Sequence, residues 1–499
     1  ADLLLELSRL ADARRHLEFV LDDDPTLDLL CTLGAIDKKE QRQEAALKRF
    51  EQALRLDPDH PGALFGYLTT AQQACHWETF ESRLSHYLEL FRKNDHWQAS
   101  PWPFINLPGT TPGDHLECAN RQARALKKQA PPTREWEHQK LRVAFITSDF
   151  HTHPMGHLLC EMLEHLDQEA FEMHLFYWGP IVEHPHQQRL FNTMDSVHHI
   201  HELSDKAAAE RIRDTEVDIL IDLMGYTQNS RPRIPAAHPA PIQLNWLGHA
   251  QTMGEGMADG ILLDETICPT GEEAFFAERV LRMPSTYFPT ARSQEASPPG
   301  TRADHGLPEN ATVFGCFNQT LKITPASFRL WMEVIERVDD SVLWLLCEEP
   351  LIIENLRKEA RNAGIDPDRL VFAHKVSHED HLGRLSHMDL MLDTLTYNGH
   401  TTASDALWGE VPVITRMGET FPSRVAASLL HACHLDQLIC TSDEQFVDLA
   451  AKLGRDRERI AELKRYLKDK RDELPLFDSE RFARDFEGIL KEISSQAPS

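Results

Sequence analysis

In Phe317-Asn-Gln-Thr-Leu-Lys322 a glutamine and a lysine stand just past an apolar run. An amide and a cation so placed can hold a diphosphate and stabilise it as it departs with extra charge. A second polar group, Asn398-Gly399-His400-Thr401-Thr402, follows the apolar residues 390–395 and precedes the helix-favouring residues 403–408. The first N–H groups of a helix have no intrahelical partner and carry partial positive charge, so this junction suits a phosphate. Thr401 or Thr402 is the expected cap, Gly399 would let the backbone approach closely, and Asp405 lies one turn on, where it could accept from a ribose hydroxyl.

Two sets of histidines add further chemistry. His378, His381 and Arg384 recur at i, i+3 and i+6, roughly one helix face, suited to stacking on or hydrogen-bonding a base and ribose. His151, His153 and His157 follow an apolar run, and an imidazole near neutral pKa can act as general base or hold an acceptor. His249 is a further candidate of the same kind, and the sequence does not rank these histidines. A zinc reading is discounted, because the 27 histidines are spread along the chain and there is no H-E-x-x-H motif and no cysteine partner at ligand spacing. The two Asp-Pro-Asp segments, Asp57 to Asp59 and Asp366 to Asp368, are turn sequences and not metal clamps. Phosphate charge therefore falls to Lys322 and the helix start.

The elements that must position these groups alternate between strand and helix. Strands are predicted at 141–147, 171–178, 218–223, 242–248 and 260–264, with helices between them. After a looser Ser/Pro/Gly stretch at 293–301, alternation resumes with strands at 313–318, 342–346, 370–373, 390–395 and 411–415. The fold class is α/β, with two parallel-sheet lobes in tandem, and the cleft beyond their C-terminal strand ends is the default ligand site.

Residues 1–95 differ. A shift of 33 aligns Ala13 with Ala46, Leu17 with Phe50, Val20 with Ala53, Leu21 with Leu54, Asp24 with Asp57 and Pro25 with Pro58. Small residues at helix crossings and a proline closing the second helix resemble a tetratricopeptide repeat, a surface suited to holding a peptide or protein. Asp22-Asp23-Asp24 is read as a solvated helix end. Residues 96–138, with Pro101-Trp-Pro103 and Pro131-Pro132 around a helix at 114–129, form a linker.

Composition narrows the partners. The 499 residues carry 52 basic against 79 acidic side chains, a net charge of −27, which opposes a nucleic-acid backbone. The nine cysteines show no C-x-x-C pair and imply reduced thiols in a cytoplasmic protein, and no apolar run approaches a membrane span. The chain opens at Ala1 inside a helical pattern, so further sequence upstream is expected.

Six segments together resemble the O-linked N-acetylglucosamine transferase family, in the bacterial, SPINDLY-like arrangement. They are Phe-Asn-Gln-x-x-Lys-Ile (317–323), Val-Leu-Trp-Leu-Leu (342–346), Asn-Gly-His-Thr-Thr (398–402), Gly-Glu-Thr-x-x-Ser-Arg-Val-Ala (418–426), Ser-Asp-Phe-x-x-His-Pro (148–154) and Pro-Ala-Pro-Ile-Gln-x-x-Trp-Leu-Gly (239–248). The resemblance covers about 101–480 and implies a GT-B glycosyltransferase, inverting and metal-independent, that moves a sugar from a UDP donor to Ser or Thr of proteins. The implied organisation is repeats at 1–95, a helical linker at 96–138, an acceptor-side lobe at 139–300, and a UDP-sugar lobe with C-terminal helices at 301–499. Carried over by position, Gln319 and Lys322 would contact the diphosphate, and His400, Thr401 and Thr402 would bind it at the helix start. Val376 (by its backbone), His381 and Arg384 would hold uracil, Asp405 the ribose, and His153 would stand beside sugar and acceptor, with the proton acceptor left open. No cofactor is implied, since the UDP-sugar is a substrate.

Three departures bear on the donor. His378 stands where the family's uridine loop has lysine, Ala250-Gln-Thr-Met-Gly254 replaces a Pro-Gly-Thr-Ser-Gly, and Tyr397 stands where animal members have a cysteine beside the N-acetyl group. An aromatic there could fill the pocket, so weakened preference for N-acetylglucosamine over a plain hexose is expected. The alternatives are a cytoplasmic N-glycosyltransferase attaching glucose to Asn, favoured by Tyr397, and a repeat scaffold with an inactive transferase-like region.

Overall fold

The computed structural model of this chain describes residues 10–21, 26–126, 128–133 and 136–496. The acidic triplet at 22–24, Pro25 and the side chains of Val20 and Leu21 lie outside the described residues. The N-terminal region consists of the helices Leu10–Leu21, Leu27–Lys39, Gln43–Leu56, Pro61–Gln73 and Phe80–Lys93. Phe50 shows why small residues recur there. A Cβ on Gly34 would lie 2.8 Å from its ring and one on Gly66 2.4 Å, so both glycines are needed for neighbouring helices to close on one phenylalanine.

The first lobe is a parallel sheet of β1 (Leu141–Thr147), β2 (Phe171–Tyr177), β3 (Ser196–His199), β4 (Ile219–Asp222), β5 (Ile242–Asn245), β6 (Gly260–Leu263) and β7 (Arg279–Arg282), ordered β3-β2-β1-β4-β5-β6-β7. The second comprises β8 (Thr312–Cys316), β9 (Ser341–Leu346), β10 (Leu370–Ala373), β11 (Leu390–Leu392), β12 (Val413–Arg416) and β13 (Ile439–Cys440), ordered β10-β9-β8-β11-β12-β13. Central strands covered on both faces read as continuous apolar runs, which is why β1, β8 and β9 are legible in the sequence. The outer strands β3, β7 and β13 are short and carry His, Arg or only two residues, and no apolar pattern marks them.

In the second sheet the strand order reverses between β8 and β11. At such a switch point the loops leaving the two strands run to opposite sides, and ligands of open α/β sheets bind outside the C-terminal strand ends there. Lys322 follows β8 and residues 393–400 follow β11, so the polar segments of the sequence flank this switch point. The lobes are joined by buried hydroxyls, Thr286 Oγ1 to Ser428 Oγ at 2.8 Å and Thr290 Oγ1 to Ser404 Oγ at 2.9 Å, and by Arg424 Nη1 to Glu272 Oε2 at 2.7 Å. The final helix, Ser479–Ser495, expected with the second lobe, packs on the first: the Trp246 ring lies 4.8 Å from that of Phe486, and Asp167 N–H donates to Glu487.

Candidate functional site

Lys322 ends a 3-10 turn, Thr320–Lys322, immediately after β8. Its ammonium points inward, donating to the Asn398 carbonyl at 2.8 Å and lying 4.0 Å from the centre of the Tyr397 ring. Burial pushes this lysine down to about 7, against the pull of Asp393. The residue as a whole is only partly covered, so the surroundings of Nζ and not its stem set the titration.

Asp393 organises the turn that supplies those partners. Its Oδ1 accepts from the N–H groups of Thr394 at 2.8 Å and Gly399 at 2.6 Å, and its Oδ2 from Thr415 Oγ1 at 2.7 Å. Complete burial nonetheless pushes its carboxyl up to about 6. The turn delivers the chain into the helix Thr401–Trp408. His400, and not a threonine, occupies the cap position, with φ −94° and ψ −93°, and makes no side-chain cap bond. Thr402 is diverted elsewhere: its Oγ1 donates to Asn318 Oδ1 at 2.6 Å, while Asn318 Nδ2 donates to Thr394 Oγ1 at 2.9 Å. With no side chain capping it, the helix start keeps N–H groups for an anion. Gly399 serves packing more than approach to a ligand, since a Cβ there would meet Met391 Cε at 2.9 Å and Ala403 N at 3.2 Å.

A chain of three groups extends from this junction. Arg384 lies over the Phe317 ring at 4.6 Å, donates to the His374 carbonyl at 2.6 Å, and points Nη2 at His381 Nδ1, 3.2 Å away. His381 Nδ1 is thereby the acceptor, so the neutral ring carries its proton on Nε2, facing Asp405 Oδ2 at 3.7 Å. Burial holds all three from their ordinary states: His381 down to about 3, Arg384 down to about 10, Asp405 up to about 8. His378 stands apart from this chain. Its ring stacks at 4.0 Å on His157 of the first lobe, which stacks at 4.1 Å on His186. Val376 is 46 % exposed, and Gln319 is exposed at the rim.

On the opposite wall, His153 caps the helix Pro154–Glu164, its Nδ1 accepting from Met155 N–H at 3.2 Å. Asp149 Oδ2 lies 3.7 Å from the same nitrogen, and burial holds the ring below the ordinary histidine range. The neutral ring therefore carries its proton on Nε2. The stack of His157 on His378 brings this helix to the second lobe.

The profile of glycosyl transferase family 41 matches residues 118–296 and 292–486, most of the chain. The chain belongs to glycosyl transferase family 41. Among relatives, a probable UDP-N-acetylglucosamine–peptide N-acetylglucosaminyltransferase SEC of Arabidopsis thaliana is 32 % identical over 364 residues, covering 72 % of this chain and 37 % of that protein. A probable SPINDLY transferase of Solanum lycopersicum is 26 % identical over 400 residues, covering 76 % and 42 %. This family 41 chain thus spans about two-fifths of these relatives' lengths. Among solved structures, a point mutant of the Thermobaculum terrenum O-GlcNAc transferase superposes with a TM-score of 0.79 at 25 % identity, covering 98 % of this chain and 94 % of that one. The two parallel-sheet lobes are those of a GT-B fold behind a repeat region.

Sequence reasoning about this family 41 member missed two residues that the fold brings to the junction, Asp393 and Trp102. Asp393 was hidden inside an apolar run, although a lone carboxylate at a strand end is itself a signal. Trp102 sat in a segment read as linker, yet its ring meets Tyr397 edge-on at 5.7 Å and lies 6.4 Å from His249. His249 is buried, 5.4 Å from the Tyr226 ring, and neither of its nitrogens has a hydrogen-bond partner among the described residues. Tyr397 stacks at 4.5 Å on His400, so Trp102, Tyr397, His400 and His249 form one aromatic cluster beside the Lys322 ammonium.

Proposed function

We propose that this protein is a metal-independent, inverting protein O-glycosyltransferase that moves N-acetylglucosamine or a related hexose from a UDP-sugar to Ser or Thr. The single observation that carries the reading is the convergence, at the β8–β11 switch point, of the inward Lys322 ammonium with an uncapped helix start. The names of the relatives supply the donor and acceptor classes.

In this reading the diphosphate lies over the amides of Thr401 and Thr402, with Lys322 beside the bridging oxygen. Arg384, His381 and Asp405 hold uracil and ribose. The acceptor hydroxyl attacks the anomeric carbon and releases its proton to water, the bond from that carbon to the diphosphate breaks, and its electron pair adds charge to the departing phosphate, where Lys322 meets it. His153, with Nδ1 already accepting and a proton on Nε2, serves as a donor that orients sugar or acceptor in preference to a base. The repeats present the acceptor protein.

Tyr397 favours a second reading of the donor. The residue is 3 % exposed and its ring contacts both Trp102 and His400; an aromatic at this position would leave less room for an N-acetyl group than the cysteine of animal members, so UDP-glucose is the competing donor. Titration with UDP, followed by UDP-release assays with UDP-N-acetylglucosamine and UDP-glucose and mass-spectrometric mapping of modified residues, tests both. Micromolar UDP binding and sugar on Ser or Thr are expected. Sugar on Asn, or no UDP binding, would overturn the proposal.

A further inference from the structure

The last repeat reaches into the machinery just described. Gln72, in the final turn of the helix Pro61–Gln73, is fully buried, and its Nε2 donates to two carbonyls: Asn106 O at 2.7 Å and Leu321 O at 2.7 Å. Leu321 is the residue before Lys322 in the turn Thr320–Lys322. Asn106 belongs to the linker, where its Nδ2 donates to Trp102 O at 2.9 Å. One amide therefore ties the turn that carries the ammonium to the segment that carries the aromatic wall. The neighbouring contact repeats the pattern, with Thr320 Oγ1 donating to Gln73 O at 2.9 Å.

The orientation of this amide is fixed by its neighbours. Turned over, its oxygen would face two carbonyl oxygens; as placed, its oxygen has no partner among the described residues, so the donor end is what the site uses. A buried glutamine leaving its own acceptor unmatched is not the arrangement that packing alone would select. The Lys322 turn is a single 3-10 turn, closed by Lys322 N–H to Gln319 O and Ile323 N–H to Thr320 O, both at 2.9 Å, so its polar ties to the repeats are the Gln72 amide and the Thr320 hydroxyl.

We propose that Gln72 is a positioning residue for turnover, holding the Lys322 turn and the Trp102 segment in register, so that the repeat region is part of the catalytic apparatus and not only a platform for the acceptor. The proposal rests on the reading of Lys322 given above. A misplacement of the ammonium by a fraction of an ångström weakens its contact with the leaving diphosphate without removing the helix-start site for the bound one. It also admits water to Nζ, whose low pKa comes from exclusion of water.

The test compares Gln72→Met, which keeps length and volume but removes both donors, with Lys322→Met and with Asn355→Ala. The last removes a separate contact of the repeats with the second lobe, Asn355 Nδ2 to Ala74 O at 2.8 Å. UDP release from UDP-N-acetylglucosamine and UDP-glucose, UDP affinity and melting temperature are read for each. Expected for Gln72→Met are a fall in kcat of about tenfold, UDP affinity within about twofold of wild type, and a high-pH limb of kcat/KM displaced upward. Asn355→Ala should keep wild-type turnover. Wild-type kcat in Gln72→Met beside an inactive Lys322→Met overturns the positioning role alone, as does an equal loss in Asn355→Ala. An active Lys322→Met instead overturns the reading of Lys322. Should Gln72→Met fail to fold, Thr320→Val decides: reduced kcat with intact UDP affinity supports the proposal, and wild-type kcat overturns it.

Discussion

Replacing Lys322 with methionine should separate catalysis from binding, by an amount that the surroundings of its ammonium set. The ammonium is held 2.8 Å from the Asn398 carbonyl and 4.0 Å from the Tyr397 ring centre, so it has little freedom to follow the substrate. With a phosphate oxygen about 4 Å away and an effective dielectric constant of about 20, one unit of charge interacts with it by about 4 kcal/mol. Cleavage adds between half and all of a unit charge to the leaving group, so the variant should lose about 2–4 kcal/mol in the transition state, about 30- to 1,000-fold in kcat. Ground-state attraction is offset by the cost of keeping the ammonium from water, the cost that pushes it down from 10.5 to about 7, so UDP affinity should fall much less. Stability supplies an independent check. Between about 7 and 10.5 the unfolded chain holds a proton on this lysine that the folded chain has lost, so wild-type stability rises with pH across that window. The methionine variant lacks this rise, and its melting temperature should exceed wild type most at pH 6 and least above pH 10. UDP release at saturating donor, calorimetric UDP titration and melting curves at several pH values measure these effects. Unchanged kcat, or a loss confined to UDP affinity, would refute the assignment of Lys322 to the departing diphosphate.

Tyr397→Ala should clear space between Trp102 and His400 and raise the ratio of UDP-N-acetylglucosamine to UDP-glucose turnover by about tenfold or more; equal or better use of UDP-N-acetylglucosamine by the wild type would sink the steric argument. Asp393→Ala removes the acceptor of two backbone N–H groups and the Thr415 hydroxyl, and should cost about 2–4 kcal/mol in denaturant unfolding along with UDP binding; a loss under about 0.5 kcal/mol would show that the turn holds without it.

What the sequence determined alone was what recurs locally. Apolar runs covered on both faces announced the central strands, small residues opposite Phe50 announced the repeat, and Lys322, His400 and Arg384 stood at strand ends or on one helix face because periods of two and 3.6 residues are written into neighbouring positions. Tertiary structure alone decided what depends on partners distant along the chain. That Thr402 turns to Asn318 and leaves the helix start uncapped, that Trp102 from a proline-rich linker packs edge-on against Tyr397, and that Gln72 reaches the turn before Lys322 are contacts across 84, 295 and 249 residues. No local period encodes such pairs, because they form only when two sheets, their switch point and the last repeat are already in place.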